Sequence, residues 1–121
     1  MILYAAADLI WASRIKQTAD ALSLPCRPVR RLDMLEARLA EGGVCALILD
    51  LDTMDLCLEL TARLRGPDSG DIEAAVRLVA FGPHVREDLF DQIRQAGADE
   101  VLTRGHFDRN LPEILTSLAQ A

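Results

Sequence analysis

The stretch Cys45-Ala-Leu-Ile-Leu-Asp50-Leu-Asp52 constrains the chain most, because five apolar residues in succession stop at two carboxylates. A strand with one wet face alternates polar with apolar residues. A run that is apolar at every position therefore predicts a strand covered on both faces. Such strands belong to parallel sheets, whose connecting helices lie on both sides. Their carboxyl ends face a crevice in which open α/β proteins place their chemistry, and Asp50 stands at that end.

The rest of the chain repeats the alternation. Ile2 to Ala7 predicts a first strand, after which Asp8 can accept from the free amides that open a helix. Trp11, Ile15, Ala19 and Leu22 then recur at helical spacing before Pro25. Cys26 to Arg30 predicts a second strand, placed at a sheet edge because Pro28 has no amide to donate. Asp33-Met-Leu-Glu36 has the residue types of a capping box and predicts a helix running to Gly42-Gly43. Leu56, Leu60 and Leu64 line a third helix that ends at Arg65-Gly66-Pro67, and Pro67 to Asp71 reads as loop.

Val76 to Phe81 predicts the fourth strand, and Val85, Leu89, Ile93 and Ala96 the fourth helical face, with Gly97 closing that helix in a left-handed conformation. Glu100 to Thr103 predicts the fifth strand. Asn110-Leu-Pro-Glu113 has capping-box spacing and opens a last helix faced by Leu111, Ile114, Leu115 and Leu118. Strands alternating strictly with helices predict a single α/β domain over residues 1–121, built on a doubly wound five-stranded parallel sheet.

Composition narrows the function. A net charge of -6 argues against a nucleic-acid surface, which needs clustered cations that release counterions. Arg27, Arg30 and Arg31 are the one basic cluster, without interleaved aromatics, and read as a solvated strand end. Cys26, Cys45 and Cys57 form no CxxC pair, which predicts a reduced, cytoplasmic protein. The amino terminus reaches Asp8 too soon for a signal peptide or a membrane span. No GxSxG elbow, Walker glycine loop or GxGxxG follows any strand, so no cofactor is expected and catalysis of its own is not expected.

Two stretches resemble the receiver domains of bacterial two-component response regulators, the CheY-like family. Ala46-Leu-Ile-Leu-Asp50-Leu-Asp-Thr-Met54 is similar to the strand that bears the phosphoaccepting aspartate. Ala96-Gly-Ala-Asp-Glu-Val-Leu-Thr-Arg104 is similar to the turn and fifth strand that deliver the family's lysine. The resemblance spans the whole chain and implies a flavodoxin-like, three-layer sandwich with strand order 2-1-3-4-5. It also implies a phosphoacceptor pocket around Asp50, with Asp8, Asp52, Gly82 and Arg104 at neighbouring positions.

Against that pattern most of the apparatus is missing. Ala6 and Ala7 stand where an acidic pair would hold a divalent cation. Asp8 matches a third acidic position found in some receivers, and its competing role is the helix cap. Gly82 replaces the hydroxyl residue, Val101 the mobile aromatic, Arg104 the lysine, and Gly105-His106 the region of a proline that often follows it. The carboxylate of Asp50 is expected either to pair with Arg104 or to cap locally. His84 and His106 are expected in loops near Asp50 and Asp52, where a metal site is the weaker reading because no fixed spacing such as HxxxH links them.

The resemblance thus implies a stand-alone pseudo-receiver that signals through a protein partner without magnesium-dependent aspartate phosphorylation. The partner, or a second copy in a homodimer, would dock on a face carrying Arg86, Asp91, Gln95, Asn110 and Glu113. Two alternatives stay open at this point: a divergent receiver that does take phosphate on Asp50, and a small-molecule sensor using the crevice near Gly82 and His84.

Overall fold

The computed structural model describes residues 1–120. The strands β1 (Ile2–Ala5), β2 (Cys26–Pro28), β3 (Ala46–Asp50), β4 (Arg77–Gly82) and β5 (Glu100–Thr103) form one parallel sheet, as the alternation predicts, in the order β2-β1-β3-β4-β5 that the family resemblance implies. The helices are α1 (Leu9–Ala21), α2 (Leu32–Glu41), α3 (Met54–Arg65), α4 (Asp71–Ala74), α5 (Glu87–Ala96), α6 (Arg104–Arg109) and α7 (Leu111–Ala119).

Every residue of β3 is buried, as expected for a strand with helices on both faces. Its side chains alternate between two cores. Leu47 and Leu49 join Leu3, Leu78, Ala80, Leu60, Leu64, Phe90 and Ile93 on the side of α3 and α5. Ile48 joins Ile2, Val79, Phe81, Ile15, Leu115 and Leu118 on the side of α1 and α7. The result is the expected three-layer sandwich. Among the described residues no helix is long and apolar enough to cross a membrane.

Local signals fared unevenly. Asp8 caps α1 as expected, accepting from the Ile10 amide at 2.7 Å. Gly97 ends α5 with φ +125, a conformation that favours glycine. β2 is an edge strand paired only with β1. The Val29 amide donates to Tyr4 O at 2.8 Å, so Pro28 falls at the position whose amide would have pointed away from the sheet.

The two capping boxes do not form. α2 starts at Leu32 with Arg31 as its N-cap, leaving Asp33 inside the first turn, where it accepts from Arg31 Nε at 3.0 Å. Glu36 is drawn away to Arg63 Nε at 2.6 Å. The Asn110 side chain points back and donates to His106 O at 3.0 Å, leaving α7 without a side-chain cap. α5 begins only at Glu87, which leaves Val85 outside the helix and 72% exposed. β1 stops at Ala5 instead of running to Ala7. The short helices α4 and α6 are additions that the apolar periodicity does not mark, each being too brief to develop it.

Candidate functional site

Asp50 is the last residue of β3 and is fully buried. The chain turns directly after it into a 3-10 turn over Leu51–Thr53 that leads to α3. Asp50 caps that turn: its Oδ1 accepts from the Asp52 amide at 3.0 Å. The backbone carbonyl of the same residue accepts twice, from Thr53 Oγ1 at 2.9 Å and from Cys57 Sγ at 3.1 Å. Burial pushes the Cys57 thiol up to about 12, which keeps it protonated as a donor. Thr53 and Cys57 stand three and seven residues after Asp50, and that helical spacing is the signal that could have marked them.

The second oxygen, Oδ2, is buried with no hydrogen-bond partner. Burial, the dominant cause, raises the Asp50 carboxyl above the ordinary carboxylate range. The Asp52 amide opposes the rise, the Asp52 charge adds to it, and Arg104 and Asp8 contribute less.

Arg104 meets both carboxylates, but unequally. Its Nη2 binds Asp52 Oδ2, while Asp50 Oδ1 lies at 4.0 Å. Asp52 is half-exposed and can swing to meet the guanidinium, whereas Asp50 is fixed by its cap and its burial. Of the two roles expected for Asp50, local capping is the one made at hydrogen-bond distance. Asp52, a peripheral member of the expected pocket, is the direct partner of the cation.

Gly82 ends β4 beside this pocket. A Cβ at that position would lie 3.1 Å from Leu51 Cβ, 3.2 Å from Leu51 Cδ1 and 3.2 Å from Phe90 Cε1. Leu51 and Phe90 thus occupy the space around the position where the resemblance implies a hydroxyl residue. Neither was foreseen from the sequence. Val101 on β5 is half-buried and packs on the α3–α5 side of the sheet.

The remaining candidates scatter. Asp8 is exposed and committed to the α1 cap. His84 lines a cavity with Glu87, Asp91 and Arg94, while His106 lines a separate one with Arg77, Glu100 and Asn110. Among the described residues no group of three or more His, Cys, Asp or Glu side chains could hold a metal ion. His84 stands in the loop after β4 as expected, whereas His106 lies within α6 instead of in a loop, because the chain enters that helix directly from β5. Arg86, Asp91, Gln95 and Glu113 are exposed on the elements flanking β5, and Asn110 is half-buried. Arg86 pairs with Asp88, and Asp91 with Arg94.

No protein-family model matches the chain, and no curated protein does. Solved structures do. The signal receiver domain of a response regulator from Bermanella marisrubri superposes over 97% of this chain and 95% of its own length, with a TM-score of 0.75 at 17% identity. The fold is the receiver fold. The isolated REC domain of RcsB from Salmonella enterica serovar Typhimurium, in the apo form, matches over 99% of this chain and 88% of its own, with a TM-score of 0.71 at 13% identity. A response regulator receiver protein from Burkholderia phymatum covers 98% of this chain and 94% of its own, with a TM-score of 0.70 at 16% identity. Within the receiver fold, Asp50 occupies the carboxyl end of the central strand that the sequence resemblance assigned to the phosphoacceptor.

The state of Asp50 has a measurable consequence. Its carboxyl binds a proton more tightly in the folded chain than in the unfolded one, so its contribution is most favourable at low pH. That contribution declines as pH rises from the ordinary carboxylate range through its raised folded value. The Asp50→Asn variant keeps an acceptor for the Asp52 amide and removes this decline. Thermal unfolding of both proteins from pH 3 to 8 should give a difference curve that grows with pH in the variant's favour and levels off once Asp50 is ionised. A flat difference curve would show that Asp50 ionises without penalty.

Proposed function

We propose that this chain works as a pseudo-receiver: a receiver-fold signalling module that acts by binding a protein partner and does not run on magnesium-dependent phosphorylation of Asp50. The observation that carries this reading is the destination of Arg104. Its guanidinium binds Asp52 and stands 4.0 Å from Asp50, so this cation is engaged mainly with the carboxylate beside the acceptor.

Two further features support it. A divalent cation needs several hard oxygen ligands, and the loop after β1 offers Ala6, Ala7 and an Asp8 turned to its helix. The crowding at Gly82 leaves little room for a hydroxyl that would follow a phosphoryl group. A signal that does not enter through phosphate leaves the surface as the means of action, and the exposed side chains flanking β5 (Arg86, Asp91, Gln95 and Glu113, with Asn110) are the surface we assign to the partner or to a second copy.

One observation favours the second reading, a divergent phosphoacceptor. Asp50 Oδ2 is unpartnered, and an unpaired carboxylate oxygen is the group such chemistry would use. Incubation with acetyl phosphate and magnesium, followed by intact-mass measurement, separates the two. Under the pseudo-receiver reading the mass stays unchanged in wild type and in Asp50→Asn. A phosphoryl adduct present in wild type and lost in Asp50→Asn would establish the second reading.

A further inference from the structure

The strand order reverses between β1 and β3, since the chain leaves β1 toward β2 on one side and β3 toward β4 on the other. Loops that part in this way leave a crevice beyond the carboxyl ends of the two strands, and open parallel sheets take their ligands there. Here the crevice is a cavity of about 310 Å³ lined by Ala6, Ala7, Val29, Arg30, Thr53 and Leu56. That volume lies at the small end of the range for small-molecule sites.

The lining is apolar apart from two residues, and those differ in what they can offer. Thr53 Oγ1 already donates its proton to Asp50 O at 2.9 Å, so it has no donor left for an anion. Arg30 is exposed, and among the described residues it has no ion-pair partner, whereas its neighbour Arg31 is paired with Asp33. A cavity with an apolar body and one free guanidinium at its rim selects a ligand of matching form. Arginine's planar fork fits a carboxylate with two parallel hydrogen bonds. Asp8, Asp50 and Asp52 follow the strands at the same end of the sheet, and the net charge is -6, which disfavours a dianion such as a phosphate monoester.

We propose that this switch-point cavity binds a small amphiphilic monocarboxylate, its hydrocarbon body against Ala6, Ala7, Val29 and Leu56 and its carboxylate on Arg30. The alanines that replace the acidic pair implied by the family resemblance are, on this account, what makes the cavity apolar. Neither Asp50 nor Arg104 takes part, so the proposal stands apart from the phosphorylation question.

The test is a titration of the full, isotopically labelled chain with hexanoate, hexanamide and hexylamine, followed through its backbone amide resonances. Hexanoate should produce saturable shifts at Ala6, Ala7, Arg30 and Leu56, with binding about fivefold tighter than that of hexanamide, the contribution of one exposed ion pair. In Arg30→Gln, an exposed substitution that leaves the core untouched, the acid and the amide should bind equally. Ala7→Leu should fill the cavity and abolish both. The proposal is overturned if those amides show no saturable shift, if hexylamine binds as well as hexanoate, or if Arg30→Gln keeps the preference for the acid. Should Ala7→Leu fail to fold, the comparison of wild type with Arg30→Gln decides by itself.

Discussion

Phe107→Ala should lower stability by about 3–5 kcal/mol, among the largest losses available to a single side chain in this protein. Phe107 is fully buried and stacks on Phe81 with ring centroids 4.1 Å apart and planes 6° from parallel. Trp11 closes the cluster from α1, 5.0 Å from Phe81 and 6.0 Å from Phe107. Truncating Phe107 removes the contact that ties α6 to the sheet and leaves a void that two neighbouring rings cannot collapse to fill. For a domain of this size the melting midpoint should fall by about 10–20 °C.

The effect reaches the candidate site. α6 begins at Arg104, so loosening its packing loosens the cation that holds Asp52. Trp11 is the only tryptophan, and its emission should change in the native baseline as well as on unfolding. Thermal unfolding followed by that emission gives both readings. A midpoint within a few degrees of wild type, with unchanged native emission, would mean that α6 is held by other contacts.

Gly97→Ala should destabilise by about 2–4 kcal/mol, through Arg65 as much as through the backbone. A Cβ at Gly97 would stand 2.6 Å from Arg65 Cγ, and the residue has φ +125. Arg65 cannot step aside freely. Its Nη2 donates to Val76 O at 2.6 Å and Asp99 Oδ2 at 3.0 Å, and its Nε donates to Gly97 O at 3.2 Å. Asp99 in turn accepts from the Leu78 amide at 2.8 Å. One guanidinium thus joins the end of α3 to the starts of β4 and β5.

A double-mutant cycle separates the two contributions. In an Arg65→Ala background the 2.6 Å collision with Cγ is gone and only the 3.1 Å approach to the Cβ of residue 65 is left, so Gly97→Ala should cost little beyond the conformational penalty, about 1 kcal/mol. Full additivity of the two single losses would show that Gly97 and Arg65 act independently. Chemical denaturation at one pH suffices for the measurement.

The parts of the fold that the sequence disclosed are those governed by burial over several residues. The apolar run ending at Asp50 marked a strand covered on both sides, and the strand order that the family resemblance implied is the one observed. Asp8 and Gly97 were legible because each acts alone on adjacent backbone. The two capping boxes failed because a group outside each box competed for its carboxylate or amide. Arg63 on α3 took Glu36, and the His106 carbonyl took Asn110.

The site was half legible for the same reason. The place of Asp50 follows from the run that precedes it. The choice of Arg104 between Asp50 and Asp52 depends on which carboxylate is free to move, and burial settles that in three dimensions. Leu51 and Phe90 crowd Gly82 from separate elements, one beside the strand end and one a helix turn into α5. No local pattern reports such a meeting.

The proline on the outer strand makes the sheet lopsided toward its own kind. On the β2 flank there are three residues, and the missing donor of Pro28 lies on the outer side, so no further strand finds a regular ladder there. The opposite flank, β5, has four residues and no proline. Pairing of the sheet edge with another molecule is thus disfavoured at β2 and meets no proline at β5, so the two margins are unequal in what they offer an incoming strand.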